Sequence, residues 1–380
     1  MPIHIFELCP YSLILTGSAD NQNMSETVFT AAIIGTGRIS FSLGFDKKRE
    51  QPASHTMAMI GNRRIKLIAG CDKDKKKLEN WKTFNKKINS HFLRFLDFDF
   101  PLGAEPFEPL VFTSSQELYK AVTPDIVTVA VNEDSHMAEC LAAIKAKPRL
   151  VILEKPVALN SFEAAKILYA SRENHVPVMV NHERRFSADY LAAKRFLSQI
   201  GDIQSVRGEL FSGLRVYGKA YEADGSYSLL HDGTHLVDLI QFLFDIKLKS
   251  PRVSGVYKDE KGDVRNFTAR YKTEHIPEIQ IQMSGRSKFF SFGVDILGTL
   301  GRICVGNGYA KFYLREESKL YTGFYSLTRQ KIKLPKKTGY FSNMIQNAVD
   351  FLDGKAPLVS PLEDAVQDLK VLEDIKTFLF

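Results

Sequence analysis

Two histidines and two aspartates stand inside an otherwise apolar run, Leu229 to Leu239, which reads Leu-Leu-His-Asp-Gly-Thr-His-Leu-Val-Asp-Leu. His231 and His235 are spaced so that one helix face could present both imidazoles to a metal. Gly233 lies between them, however, no glutamate completes an H-E-x-x-H pattern and no third ligand is evident, so no metal is expected. A polar helix start is a second reading. The third is acid/base work, because an imidazole with a pKa near ~6.5 exchanges a hydroxyl proton readily at neutral pH. His235 is the expected general base, with His231 and Asp232 beside it as candidate assistants. Charge is also out of character at Glu154-Lys155-Pro156, which ends the apolar run Leu150 to Leu153. A lysine at a desolvated strand end has its pKa pushed down and can trade a proton with a substrate hydroxyl; a strand-end salt bridge is the plainer alternative.

A third element would bring a ligand to these groups. Gly35-Thr36-Gly37-Arg38-Ile39-Ser40 follows an apolar strand pattern. One glycine there permits a tight turn, and the other lets the backbone approach a pyrophosphate at a helix N-terminus. Asp72 ends the next apolar run, where a carboxylate accepts from a ribose 2′-hydroxyl and repels a 2′-phosphate. NAD is thereby favoured, with NADP left open by the adjacent Lys73. Thirty-seven positions separate Gly35 from Asp72, against the ~20 usual for this arrangement, so residues 41–64 read as an insertion. Pro52 breaks its helical pattern and Ser54 can cap a fresh helix. From that place His55 and Arg49 could reach substrate, or simply lie in a surface loop.

In this order, Gly35 to Ser40, Asp72, Glu154-Lys155-Pro156 and Gly233-Thr234-His235-Leu236-Val237-Asp238 resemble the Gfo/Idh/MocA family (glucose–fructose oxidoreductase, inositol dehydrogenase), from about residue 28 to the end. The pairing of E-K-P with a downstream G-x-H-x-x-D is the specific part. The resemblance implies an α/β chain: an N-terminal Rossmann domain with a doubly wound parallel sheet, then a C-terminal α+β domain with a large, mostly antiparallel open sheet. It implies that Lys155 contacts both nicotinamide and the reacting hydroxyl, that His235 is the general acid/base, and that Glu154 lies near the nicotinamide ribose. Gly35, Thr36, Gly37, Arg38, Ile39, Asp72, Asn132 and His136 would contact the cofactor, although the family's usual Thr-Pro reads Val131-Asn132 here. Arg185, in Asn181 to Phe186, would be a substrate-side or structural residue. An aspartate often stands four residues before the family's histidine; in this chain that position is His231, with Asp232 one step later. The activity implied is hydride transfer between nicotinamide and a secondary alcohol or ketone of a sugar, cyclitol or sugar derivative. NAD-dependent glycoside hydrolases and non-catalytic NAD-binding regulators share the resemblance, and a homo-oligomer, dimer or tetramer, is implied through the open sheet.

The elements that must hold these groups can be read from periodicity. Apolar β-rich runs, Thr27 to Gly35, Ile65 to Asp72, Asp125 to Val131, Leu150 to Pro156 and Val176 to His182, alternate with helical patterns at Ala138 to Ala146 and Ser161 to Asn174. That alternation means a parallel sheet with crossover helices. Helices over Ser187 to Gly201 and Thr234 to Phe244 follow, then mainly strands from Val253 to Arg315, then two closing helices. We expect an extension at 1–23, a dinucleotide-binding domain at 24–155 and a substrate-binding and oligomerisation domain at 156–380, with the last helices able to pack back on the first domain. The 380 residues are 44% hydrophobic and 25% charged, a globular composition. The net charge is +7, and the Lys-rich run Asp72 to Lys87 is expected to be a solvated helix face in preference to a nucleic-acid surface; no apolar run reaches the ~20 residues a membrane helix needs. Cys9, Cys71, Cys140 and Cys304 have no C-x-x-C spacing, so a reducing cytoplasmic setting is expected. Arg207, Arg215 and Lys219 could meet an anionic substrate or be solvated strand residues.

Overall fold

The computed structural model describes residues 27–87, 108–213 and 226–379. The proposed extension, Cys9, Arg215 and Lys219 lie outside them. A six-stranded parallel sheet is built from β1 (Phe29–Ile34), β2 (Ile65–Cys71), β3 (Leu110–Phe112), β4 (Ile126–Val129), β5 (Leu150–Leu153) and β6 (Val178–Val180), in the order β3-β2-β1-β4-β5-β6. Four of these strands, β1, β4, β5 and β6, are buried almost throughout, as expected when helices cover both faces. On one face lie α3 (Ser115–Ala121), α4 (His136–Lys145) and α5 (Ser161–Asn174); on the other, α1 (His55–Ile60) and α2 (Lys75–Lys87). The Lys-rich α2 is not solvated all round: Trp81 is fully buried and its ring packs on Gly70, where an added Cβ would stand 2.5 Å from it.

An eight-stranded sheet forms the second layer system. Its strands are β7 (Ile203–Gly213), β8 (Arg252–Lys258), β9 (Val264–Tyr271), β10 (Ile279–Ser284), β11 (Arg286–Gly298), β12 (Gly301–Gly306), β13 (Tyr309–Glu317) and β14 (Tyr325–Gln330), ordered β14-β13-β12-β11-β7-β10-β9-β8. Every pairing is antiparallel except β7 with β10. One face packs on α6 (Ala188–Phe196) and α8 (Gly233–Phe244), whereas Phe289, Phe290, Tyr325 and Leu327 stay exposed. Residues at β7, β3 and β14 add strands that the alternation of runs had not listed.

The two closing helices, α9 (Tyr340–Leu352) and α10 (Leu362–Lys376), tie the halves together. Phe341, Met344 and Ile345 of α9 join the core around β1 and α1. Leu362, Val366 and Leu369 of α10 join the core of the parallel sheet, and Val371, Leu372 and Ile375 that of the large sheet. Among the described residues no helix is long and apolar enough to cross a membrane.

Candidate active site

Strand order reverses between β1 and β4, so a crevice opens at their carboxyl ends, the place where open α/β sheets bind ligands. Gly35 follows β1 at φ 92°, and a Cβ there would meet the Ala130 carbonyl oxygen at 2.4 Å; only glycine turns there without strain. At Gly37 an added Cβ would touch nothing within 4 Å, so its backbone faces open space. No described residue accepts from the main-chain N–H groups of Gly37, Arg38 and Ile39, leaving them for an anion. Arg38 and Asn132 are exposed on either side. Asp72, just past β2, accepts from Thr36 through both its N–H (2.8 Å) and its hydroxyl (3.1 Å), and holds the loop in shape with lone pairs to spare for a ribose. This donor set fits a dinucleotide. One expectation changes: the glycine turn leads into a short 3₁₀ segment, Ser42–Phe45, and not into a long helix. The chain restarts as α1 at His55, capped by Ser54, whose Oγ accepts from the Met57 N–H.

The insertion delivers His55 inward, onto Glu154. Its ring is fully buried against Phe341, and Nε2 lies 2.6 Å from Oε1 of Glu154. Arg49 stays at the surface, paired with Asp46. Glu154 also accepts from Asn181 Nδ2 at 2.6 Å. Burial resists ionisation of Glu154, but the hydrogen bonds from His55 and Asn181 and the nearby positive charge of Lys155 prevail and hold its carboxyl below the usual range. His136 is buried too, with Nδ1 2.6 Å from the Pro156 carbonyl and Nε2 3.3 Å from that of Val131, so it pins the turn after β4 to the E-K-P turn.

Lys155 emerges half-buried at the end of β5 and reaches the second domain. Nζ donates to the main-chain oxygen of His231 (3.0 Å) and lies 3.3 Å from its Nε2. His231 ends a short helix, α7 (Ser226–His231), and Gly233 starts α8. Asp232 separates the two helices, with its backbone still in the right-handed helical region. Asp232 makes no side-chain cap bond; its carbonyl accepts from the His235 N–H. His235 keeps 11% side-chain exposure, with Nδ1 3.6 Å from Glu183 Oε2 and lacking a hydrogen-bond partner among the described residues. Burial, reinforced by the positive charges of Arg184 and Lys155, holds its pKa well below the ordinary imidazole value. Its imidazole is therefore neutral in the free protein.

Arg185 faces the protein interior. It is buried, with Nε 2.8 Å and one terminal nitrogen 2.7 Å from Asp238 Oδ1, and the other donating to Asp364 (2.6 Å) and the Val359 carbonyl (2.9 Å). Its fork is fully engaged by the protein, so it locks the junction of β6, α8 and α10. Asp238, the last residue of the G-x-H-x-x-D motif, also lies 2.9 Å from Nδ1 of His182, and His182 Nε2 lies 3.2 Å from the Thr234 hydroxyl. His182, Asp238 and Asp368 are buried with potential ligand atoms within 4.8 Å of one another, but Asp238 is already paired with the Arg185 cation. Arg207, at the surface, meets Gln282 at 3.4 Å.

Asp238 and Asp368 are two buried carboxyls of this cluster, and the Arg185 cation is bonded to Asp238. Burial opposes charge on Asp238, yet Arg185 and then His182 outweigh it and hold its carboxyl well below the usual range; burial and the Asp238 charge together drive Asp368 well above it. Above the ordinary carboxylate pKa the unfolded chain has lost the Asp368 proton while the native state keeps it. Asp368 thus contributes stability that is complete below its unfolded pKa and lost as pH rises toward its folded one. Asp368→Asn keeps the shape and a donor toward Asp238, so it is expected to flatten this fall without weakening the fold at neutral pH. Urea midpoints between about pH 5 and pH 8 check it; a slope matching the native chain contradicts a native Asp368 that keeps its proton.

The residues just described can be set beside known proteins. The family model described as GFO_IDH_MocA, oxidoreductase family, NAD-binding Rossmann fold, matches residues 29–182. Trans-1,2-dihydrobenzene-1,2-diol dehydrogenase of Xenopus laevis is 28% identical over 140 residues, 36% of this chain and 42% of the relative; that of Danio rerio is 28% identical over 155 residues, 40% of this chain and 46% of the relative. The match thus spans less than half the length of these curated relatives. The WlbA dehydrogenase of Bordetella pertussis, solved with NADH and UDP-GlcNAcA, superposes with a TM-score of 0.67 at 16% identity, covering 93% of this chain and 96% of that one. At such identity the likeness shows the fold alone, but over both domains. Over residues 29–182, then, the chain is similar to the NAD-binding Rossmann fold of the Gfo/Idh/MocA oxidoreductase family.

Proposed function

We propose that the protein is an NAD-dependent dehydrogenase acting on a secondary alcohol, or the matching ketone, of a sugar, cyclitol or related diol. The observation that supports it best is Lys155, which stands at the carboxyl edge of the parallel sheet and is bound across the domain junction to His231. Gly35, Thr36, Gly37, Arg38, Ile39, Asp72, Asn132, Glu154 and Lys155 would hold the cofactor, with His136 fixing the turn beneath it. Nicotinamide, when bound, supplies the hydride chemistry. The chain's own part is to seat the substrate oxygen on the Lys155 ammonium and to offer neutral His235 for the hydroxyl proton, whose O–H bond breaks as the imidazole gains it. A cytoplasmic setting would keep Cys71, Cys140 and Cys304 as thiols, and the exposed aromatic face of the large sheet is suited to self-association.

Incubation with NAD or NADP and a panel of sugars, inositols, uronates, UDP-sugars and trans-dihydrodiols tests this, with glycoside hydrolysis followed alongside. Reduced cofactor in proportion to substrate consumed is the expected result. Hydrolysis without net reduced cofactor, or binding without turnover, sinks it. Asp72→Ser, which removes a carboxylate that repels a 2′-phosphate, is expected to weaken NAD and narrow the gap to NADP by about tenfold or more; an unaltered ratio of kcat/KM values would place discrimination elsewhere.

A further inference from the structure

Glu133 opens the 3₁₀ turn Glu133–Ser135 that follows β4. From the first domain its carboxylate reaches into the second, where Oε1 lies 2.6 Å from Nδ1 of His231. The same imidazole meets Lys155 through Nε2, at 3.3 Å, and its carbonyl takes a second Lys155 N–H at 3.0 Å. An ammonium only donates. Nε2 must therefore accept, the ring hydrogen sits on Nδ1, and Glu133 is the acceptor that keeps it there. The glutamate is suited to that duty: although burial alone would raise its pKa, the bond from His231 brings it down to about 2, so it is a carboxylate throughout the working range. Lys155 spends two of its three N–H groups on His231, and no described residue accepts the third, which a ligand oxygen could take.

We infer that Glu133 is a positioning residue: by fixing the tautomer and place of His231 it aims Lys155 at the reacting oxygen and latches the first domain to the second beside that oxygen. The inference rests on the role given to Lys155 under Proposed function. It also assigns His231, which stands where an aspartate is often found, a partner carboxylate from the opposite domain. Facing the His231 ring among the described residues are Glu133, Lys155 and, farther off, His235. Only the first is an anion among these three.

The test uses the full chain with ¹⁵N-labelled histidine and the isosteric variant Glu133→Gln. In the native protein the His231 ring is expected to show a protonated Nδ1 and a bare Nε2. In E133Q, whose amide can donate to Nδ1, the opposite tautomer should rise. With a substrate identified, E133Q and His231→Gln should each lower kcat by about 10²-fold with NAD affinity unchanged, and the double variant should be no worse than either alone. Unchanged ring shifts in E133Q overturn the proposal, as does native kcat. A protein that turns over nothing in the panel yet shows the tautomer change would fail the dehydrogenase reading and leave the Glu133–His231 orientation standing.

Discussion

Lys155→Ala is expected to lower turnover by about 10²- to 10³-fold while NAD still binds. The reason is a difference between what Lys155 touches and what holds the dinucleotide. Under the proposed function, phosphate and ribose would be met by the backbone beyond Gly35 and by Asp72, which follow β1 and β2, whereas the hydrogen bonds of Lys155 go to His231. The ammonium meets charge only as the hydroxyl becomes an alkoxide, and a preorganised donor at such a place contributes ~3–4 kcal/mol. Its pose does not depend on a mobile chain, because Nζ is anchored twice on His231. Fluorescence titration of NADH and initial rates of the same preparation separate the two effects. Full activity in the variant would leave Lys155 as a strand-end anchor and nothing more.

The largest expected effect on stability is at Arg185. Arg185→Ala removes the cation from a site in which Asp238 is 1% and Asp368 0% exposed, and breaking a buried ion pair by deleting one partner typically costs ~3–5 kcal/mol because the other charge is left uncompensated. Arg185→Lys is expected to recover only part of the loss: a single ammonium cannot reach Asp238, Asp364 and the Val359 carbonyl together as the planar fork does. Equilibrium urea unfolding at neutral pH checks both, and a midpoint shift near zero for the alanine variant would mean the network is carried by His182 alone. Asp238 itself stabilises above the ordinary carboxylate pKa and loses that contribution as pH falls through its depressed folded value, so the native chain should also weaken sharply in acid.

Much of the scaffold is legible in the sequence because parallel strands buried on both faces read as unbroken apolar runs. The glycine turn, Asp72 and the E-K-P turn were visible for the same reason: each sits where such a run ends in residues that a core would reject. β7 is harder to see. It alternates buried Val206, Gly208 and Leu210 with Arg207 and Glu209, and those charges conceal a strand that becomes the middle of the large sheet. β14 lies at an edge and is exposed over almost its whole length, so burial leaves little imprint on it. The site divides in the same way. His55 looked like a loop residue near substrate, but the insertion folds inward and the ring is spent on Glu154. Arg185 is open in the sequence to a substrate-side or a structural role; Arg184 turns to Glu183 and the Phe292 ring while Arg185 turns into the protein, the structural alternative. Glu133 could not be paired from the sequence at all. It lies 98 positions from His231, and the only hint was an acidic turn after β4, where a cofactor-contacting segment was expected. Which domain supplies a partner carboxylate is settled by how the domains meet, and no local pattern records that.

The most direct measurement is the near-ultraviolet absorbance of reduced nicotinamide when the full chain, NAD and the polyol and diol panel are mixed, run beside Lys155→Ala. A dehydrogenase built around Lys155 predicts a rise with at least one substrate in the native protein, in proportion to ketone formed, and almost none in the variant. Equal rises in the two proteins, or no reduced cofactor with any substrate while NAD demonstrably binds, would contradict it.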